Sequence, residues 1–324
     1  MNLQSTAEVP VTDSADNTVD QGNLKKFQPQ RPDAWEEDIS RNSLDNVPFE
    51  TGLPISERGD EIALLAKRLP EDIQERFDVL AMAARDTFPI PSSQDREGYA
   101  PDNDPYYWIS GMRDYVRMTD CAAKYGVDVQ SYFDFGCATG RVLRHFAAQS
   151  DVPVIYGSDI NARHIRWLCD YMPKQVRPIA NHCIPTIPIP DNSVDLISAF
   201  SVFTHIDTFE TCWISELSRI LRPGGVAYLT VHNEATWDVL RDEIDNQNNR
   251  LVQSILKTDP GVKEKLQEPL PQGRTVYRFT DLGPYRAQVF HSNDYLERVW
   301  GRFLKLREIM DCHHVRQSVV VLQK

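Results

Sequence analysis

Apolar positions along this chain follow two different rhythms. Up to about residue 128 they recur at helical spacing, whereas from residue 129 they gather into short β-branched runs separated by amphipathic stretches. The first rhythm predicts helices over 61–69 and 71–86. In the second of these Ile73, Phe77, Leu80, Ala81 and Ala84 form one apolar stripe, and Pro70 suits the first turn. Residues 88–105 hold Pro89, Pro91, Pro101 and Pro105 and read as an ordered loop or a linker. A third helix is predicted over 106–125, with Met112, Tyr115, Met118 and Ala122 on one face and Gly126 as its stop.

The second rhythm predicts strands over 131–136, 153–159, 176–180, 194–200 and 226–231, with helices over 141–149, 162–171 and 209–221 between them. Strands alternating with helices imply an α/β, doubly wound parallel sheet covered on both faces, because each parallel return needs a crossover. Asp207 and Glu210 have the spacing of a capping box at the start of the 209–221 helix, and Arg222-Pro223-Gly224-Gly225 is its stop. Runs at 303–310 and 318–322 have no helix-length segment between them, so they are expected to close the sheet as an antiparallel pair.

Composition divides the chain further. Of 324 residues 41% are hydrophobic, and 35 basic against 47 acidic side chains give a net charge of −12. The first 50 residues hold ten acids and four bases, a net of −6, so half the charge sits there. With few apolar groups to offset its ordering entropy, the segment 1–58 is expected to be a disordered acidic tail. It would be followed by a helical extension or lid over 59–128 and a ligand-binding domain over 129–324. An acidic chain has no global field for a polyanion, so nucleic acid is not an expected partner. No apolar run is long enough to span a membrane. The first twenty residues carry four acids, no base and no apolar core, unlike a secretory signal, so a cytoplasmic location is expected. Cys121, Cys137, Cys169, Cys183, Cys212 and Cys312 show no C-x-x-C pairing, which fits reduced thiols; no metal is expected, since Cys312, His313 and His314 are adjacent and poorly placed for a tetrahedral set.

The most informative stretch is Asp134-Phe135-Gly136-Cys137-Ala138-Thr139-Gly140, a strand running through a glycine-containing turn into a helix. Such a turn lets backbone approach a ligand at a helix N-terminus. A dinucleotide fingerprint requires Gly-x-Gly-x-x-Gly, and Ala138 and Arg141 occupy two of its three glycine positions. Asp159 ends the next strand 19 residues after Gly140, where a carboxylate can accept from ribose hydroxyls. With Tyr156-Gly157-Ser158-Asp159, Pro188 through Leu196, and Leu221 through Gly225, these residues resemble the class I S-adenosylmethionine-dependent methyltransferases over 129–324, most closely the small-molecule type. The resemblance implies a Rossmann-like fold with an N-terminal helical extension, S-adenosyl-L-methionine as cofactor, and transferase activity (EC 2.1.1.-). It implies that Asp134, Gly136, Cys137, Ala138 and Gly140 cradle the methionine portion, with Asp134 facing its ammonium group. Asp159 would hold the ribose and Ile160 would pack on adenine; Phe200 would join the cofactor site. Asn181 stands in for the acid that members usually carry after the third strand, and Ala138 replaces the usual middle glycine.

Methyl transfer requires alignment of the nucleophile and, for an alcohol or phenol, removal of its proton. The ends of the fourth and fifth strands present His205 and His232 as candidate bases, with Glu234 placed to orient or compete with His232. The plainer readings are that His205 braces the next helix and that His232 satisfies a strand-end carbonyl. His291, before the helix that Ser292 should cap, is a lesser candidate. Tyr106-Tyr107-Trp108 could form an aromatic lid over a sulfonium or simply pack the extension. In the insertion 243–290, Tyr277, Arg278, Tyr285 and Arg286 could face a polar or anionic acceptor or be solvated surface. The resemblance implies methyl transfer to an oxygen or nitrogen of a small molecule or, from a subfamily likeness at 201–206, 232–234 and 290–301, of a glycan precursor. The rivals are a catalytically silent cofactor-binding interaction module and a nicotinamide-dependent oxidoreductase.

Overall fold

The computed structural model describes residues 47–100, 102–278 and 287–324. Most of the expected acidic tail lies outside the described residues. Its last part does not behave as tail: β1 (Thr51–Gly52) pairs antiparallel with β2 (Ile90–Pro91), and Ile55 between them is fully buried. The ladder, the buried Ile55, the Phe49 ring set edge-on to Tyr171 and the bond from Arg163 Nη1 to Val47 O at 2.6 Å tie this segment down.

Three short helices follow, α1 (Gly59–Ala66), α2 (Glu71–Arg76) and α3 (Val79–Arg85). The single helix expected over 71–86 is therefore broken. Asp78 leaves the helical conformation and its carboxylate accepts from Ala81 N at 2.9 Å, the local competition that makes aspartate a helix starter. The break rotates the buried face: Val79, Met82 and Ala83 point inward while Leu80 is 46% exposed, so the predicted stripe does not form. Then α4 (Asp104–Lys124) begins two residues earlier than predicted, capped by Asn103, and ends before Gly126, whose φ of +75° suits glycine. Tyr107 and Trp108 are buried among the extension's apolar side chains with Ile62, Val79 and Met112, and Tyr106 faces solvent; this trio packs the extension and does not form a lid.

The sheet is built from β3 (Ser131–Phe135), β4 (Val154–Asp159), β5 (Val176–Ala180), β6 (Val194–Ala199) and β7 (Leu221–Val231), with α5 (Leu143–Gln149), α6 (Ala162–Tyr171) and α7 (Glu210–Ile220) as crossovers. The insertion after β7 folds into α8 (Glu234–Asp242), α9 (Arg250–Thr258), α10 (Val262–Lys265) and the β8 (Arg274–Arg278) and β9 (Ala287–His291) hairpin. After α11 (Asn293–Val299), capped by Ser292 as expected, β10 (Lys305–His314) and β11 (Gln317–Gln323) close the sheet. Its order is β10-β11-β7-β6-β3-β4-β5. β11 runs antiparallel to both neighbours and the other pairings are parallel.

Alternation along the strands sorts side chains to two faces. Tyr132, Leu196, Tyr228 and Val319 join Phe146, Trp167 and the Met118–Ala122 face of α4. Phe133, Ile197, Leu229 and Val320 join Trp213, Leu217, Leu296 and Trp300. Thus α4 covers the sheet as its own crossovers do. The order reverses at β3, which has β4 on one side and β6 on the other, and ligand crevices form at such switch points beyond the strands' carboxyl ends. Among the described residues no helix is long and apolar enough to cross a membrane.

Candidate active site

The turn after β3 is held by backbone. Gly136 N and Cys137 N both donate to Ser158 O, at 2.8 and 2.9 Å, and Gly140 N donates to Cys137 O at 2.8 Å. Gly136 has φ +74°, and a Cβ there would lie 2.3 Å from Val202 Cγ2, so only glycine fits. Ala138 also takes a left-handed φ, +45°, and its N–H donates to Asp159 Oδ2 at 2.8 Å. Asp159 Oδ1 accepts from Asn161 N, also at 2.8 Å, while Asn161 itself caps α6. The carboxylate thus ties the ends of β3 and β4 together and keeps its remaining lone pairs for another donor.

A cleft of about 980 Å³, measured to include its open mouth, lies beyond these strand ends. Gly136, Ala138, Asp159, Ile160, Asn181 and Phe200 line it, as does His205. Asn181 is 9% exposed; its amide nitrogen donates to His182 O at 3.0 Å and its Oδ1 has no partner. An orphaned acceptor at the wall of a cleft fits an amine donor such as that of adenine. The residues present therefore suit an adenosyl ligand: a spare carboxylate for a ribose, an unpaired amide oxygen for the base, and a glycine turn for close approach.

Three of the expected cofactor residues are not in the cleft wall. Asp134 lies within β3, 3% exposed, and accepts from Ser198 Oγ at 2.7 Å. Burial pushes its carboxyl up to about 6, against the opposing hydrogen bond from Ser198 and the charge of Arg141. Cys137 points its sulfur into the core beside Gly157, and Gly140 sits under Leu168 and Leu143; both serve the turn through backbone.

The two candidate bases separate clearly. His205 donates from Nδ1 to Ala287 O at 2.8 Å, since a carbonyl can only accept, and this leaves Nε2 as the acceptor. Burial lowers its pKa below the ordinary histidine value, so the ring is neutral. His232 is not part of the cleft wall. It is 3% exposed, lies tilted against Phe290 with ring centroids 5.0 Å apart, has no partner at Nδ1, and is held far below its usual pKa by burial and then by His205 and His291. Glu234 does not orient it: both Glu234 oxygens accept from Asn293 N, at 2.9 and 3.0 Å, at the start of α11.

Neither expected capping-box residue performs that task. The residue preceding α7 is Phe209, at φ +56° and without a side-chain cap, while Asp207 pairs with Arg278 at 2.5 Å. Glu210 turns inward to Arg274 at 2.7 Å, Tyr295 Oη at 3.1 Å, His291 at 3.5 Å and the Trp300 indole. His291, fully buried beside it, is structural. Tyr285 and Arg286 lie outside the described residues. No cluster of three His, Cys, Asp or Glu side chains among the described residues could hold a metal ion.

Sequence reasoning missed the part of the wall that comes from the extension. Glu97 and Tyr99 line the cleft, as does Trp213 of α7. Tyr99 Oη lies 2.8 Å from Ser201 Oγ, and its ring stacks on Arg141 at 4.3 Å. Prolines marked this segment as an ordered loop, but nothing local says where such a loop lands. Three left-handed non-glycine residues, Glu97, Ala138 and Ser201, all border the cleft, a concentration of backbone strain typical of functional sites.

The fold and this cleft define a doubly wound α/β protein with a ligand crevice at the sheet's switch point. A family model described as a methyltransferase domain matches residues 107–299, more than half of the chain. A protein of Mycolicibacterium smegmatis named as a probable S-adenosylmethionine-dependent methyltransferase is 39% identical over 56 residues, which span 17% of this chain and 21% of that protein. Among solved structures the chain is similar to a 1,6-didemethyltoxoflavin-N1-methyltransferase of Burkholderia thailandensis, with 11% identity over 67% of this chain and 79% of that one and a TM-score of 0.44. It is similar also to an S-adenosylmethionine-dependent methyltransferase of Clostridium acetobutylicum, with 11% identity, 68% and 92% coverage and a TM-score of 0.44. The chain belongs to the methyltransferase-domain family.

Proposed function

We propose that this chain transfers a methyl group to an oxygen or nitrogen of a small molecule or glycan precursor, with His205 as general base. The observation that carries the reading is the fixed tautomer of His205, whose Nε2 is left as a proton acceptor in a cleft that also holds Asp159 and Asn181. When bound, S-adenosylmethionine supplies an electrophilic methyl group on a sulfonium leaving group. Asp159 accepts from the ribose, Asn181 Oδ1 accepts from the adenine amine, and Ile160 packs on the base. The Gly136–Gly140 turn admits the methionine portion, and the buried Asp134 carboxylate beneath it provides negative charge for a cation. Phe200, Tyr99 and Trp213 exclude water from the reacting groups, and His205 takes the acceptor's proton. A cytoplasmic location and an acceptor other than nucleic acid belong to the same proposal, and the chain's acidic balance supports the second of these.

The test begins with thermal stabilisation by S-adenosylhomocysteine, with NAD as control. Release of S-adenosylhomocysteine is then measured across a panel of phenols, alcohols and amines. His205→Ala is expected to lower turnover about 100-fold or more while leaving cofactor affinity unchanged. Full activity in that variant removes His205 from the mechanism, and binding with no turnover on any acceptor favours a silent module.

A further inference from the structure

Glu97 comes from the proline-rich loop, far from the family's motifs, yet it borders the cleft with Asp159. Its neighbours fix where it stands. Asp95 forms a fully buried pair with Arg163 at 2.6 Å, and its carbonyl accepts from Thr139 Oγ1 of the glycine turn at 2.7 Å. Arg96 donates to Pro91 O at 2.8 Å and, across Glu97, to Ala100 O at 2.9 Å, and beyond Glu97 Tyr99 reaches Ser201. The segment is therefore pinned both before and after Glu97, and Glu97 itself is held at φ +47°, a conformation that disfavours any side chain.

The imidazole of His164 lies between this carboxylate and that of Asp159, with Nε2 3.4 Å from Glu97 Oε1 and Nδ1 3.8 Å from Asp159 Oδ1. Two carboxylates on one cleft would repel each other, and the His164 ring between them relieves this when it is protonated. Burial works against that charge, but Asp159, Glu97 and Asp95 outweigh it and raise the His164 pKa. Asp159 already spends one lone pair of each oxygen on the N–H groups of Ala138 and Asn161. A ribose brings two vicinal hydroxyl donors, whereas Glu97 has an oxygen beyond the one facing His164 and a side chain 44% exposed.

We infer that Glu97 is a second acceptor for the ribose hydroxyls, so that the cofactor's sugar is held between a carboxylate of the sheet and one of the N-terminal loop. The inference rests on the cofactor reading above and adds a residue from outside the motif region. It also makes Glu97 a specificity element, because its contribution requires hydroxyls on the sugar.

The test is calorimetric titration of S-adenosylhomocysteine, adenosine and 2′,3′-dideoxyadenosine into the wild type, Glu97→Ala and Glu97→Gln. The wild type should bind S-adenosylhomocysteine, and Glu97→Ala should weaken it and adenosine about tenfold, with dideoxyadenosine unaffected. Glu97→Gln, which keeps an acceptor without its charge, should fall between. Unchanged affinity for S-adenosylhomocysteine in Glu97→Ala overturns the inference and leaves the cofactor reading standing. Equal losses for adenosine and dideoxyadenosine overturn it as well, since they report a disturbed loop. Failure of the wild type to bind S-adenosylhomocysteine overturns the cofactor reading and this inference together.

Discussion

The extension and the C-terminal half of the sheet are joined to the rest of the molecule by different forces. Around β7 and β11 the contact is apolar: Leu229, Val231, Val320 and Leu322 are fully buried with Phe203, Leu296 and Trp300. The extension also has an apolar interior, but its junction with the sheet carries three buried ion pairs. Asp86 pairs with Arg144, Asp95 with Arg163, and Asp114 with Arg141, each at 2.6 to 2.7 Å and at most 7% exposed. Every acid comes from the extension, and every arginine comes from beside the glycine turn or from the helix after Asp159. Buried pairs add little net stability over apolar substitutes, but they penalise misplacement heavily, because a slipped layer would strand charges. The difference suggests that the apolar half supplies adhesion while the ion pairs fix position, and the position they fix is that of Glu97 and Tyr99 over the cleft.

The largest expected effect comes from stranding one of these charges. Asp86→Ala leaves Arg144, fully buried, without the carboxylate that receives its Nε at 2.7 Å and its Nη2 at 2.9 Å. Denaturant unfolding should show a loss of about 3 to 5 kcal/mol, much of it recovered when Arg144→Met is added. A cost below about 1 kcal/mol for Asp86→Ala would end the contrast between the two regions. On the apolar side Leu229→Ala should cost about 3 kcal/mol by cavity formation. That loss should be the same at pH 4 and pH 7, since no titrating group is involved; a pH-dependent loss would mean the two regions are not separately held. For Asp86 and Asp114 burial alone would raise the pKa, but Arg144 and, for Asp114, His314 and Arg141 bring it below the ordinary value. Their contribution is therefore complete above about pH 4 and falls as the pH drops below it, so acid should weaken the junction at the extension first.

The smallest expected effect concerns Asp134, within β3. Its folded pKa, raised to about 6, means that the unliganded protein loses stability as the pH rises from about 4 through 6. A cationic cofactor favours the ionised carboxylate, so affinity for S-adenosylmethionine should increase about tenfold as the pH passes 6, a change of about 1.4 kcal/mol. Asp134→Asn should flatten that profile. An equally steep profile in the variant would assign the dependence to another group. With His205 as the proposed base, its lowered pKa puts the acid limb of turnover below the ordinary histidine value of about 6.5, so kcat and cofactor affinity should respond to pH separately.

How much of this was legible depends on how far each signal reaches along the chain. The strands β3 to β6 and helix α6 appear within a residue or so of their expected limits, because hydrophobic period and turn residues are local. The broken helix at Asp78 was a contest between an apolar stripe and a capping carboxylate, and only packing showed which face turned inward. His205 and His232 were equivalent as residues at strand ends. The β8–β9 hairpin distinguishes them, since Ala287 O orients His205 while Phe290 covers His232. Glu210 carried a capping spacing, yet Arg274 and Trp300 of later elements draw it inward.

The sequence by itself determined the alternation of strands and helices, the glycine turn, the acid 19 residues beyond it, and hence the family. Those features need only neighbours a few residues apart and the fixed geometry of a strand, a turn and a helix. The tertiary structure alone decided which histidine reaches the cleft and that the wall over it is completed by Glu97 and Tyr99. It also decided that aspartates from the extension meet arginines beside the turn and in the helix after Asp159. Tyr99 lies 102 residues from Ser201, and Asp95 lies 68 from Arg163. Pairings at such separations depend on how whole layers stack, a property of the packed chain rather than of any window along it.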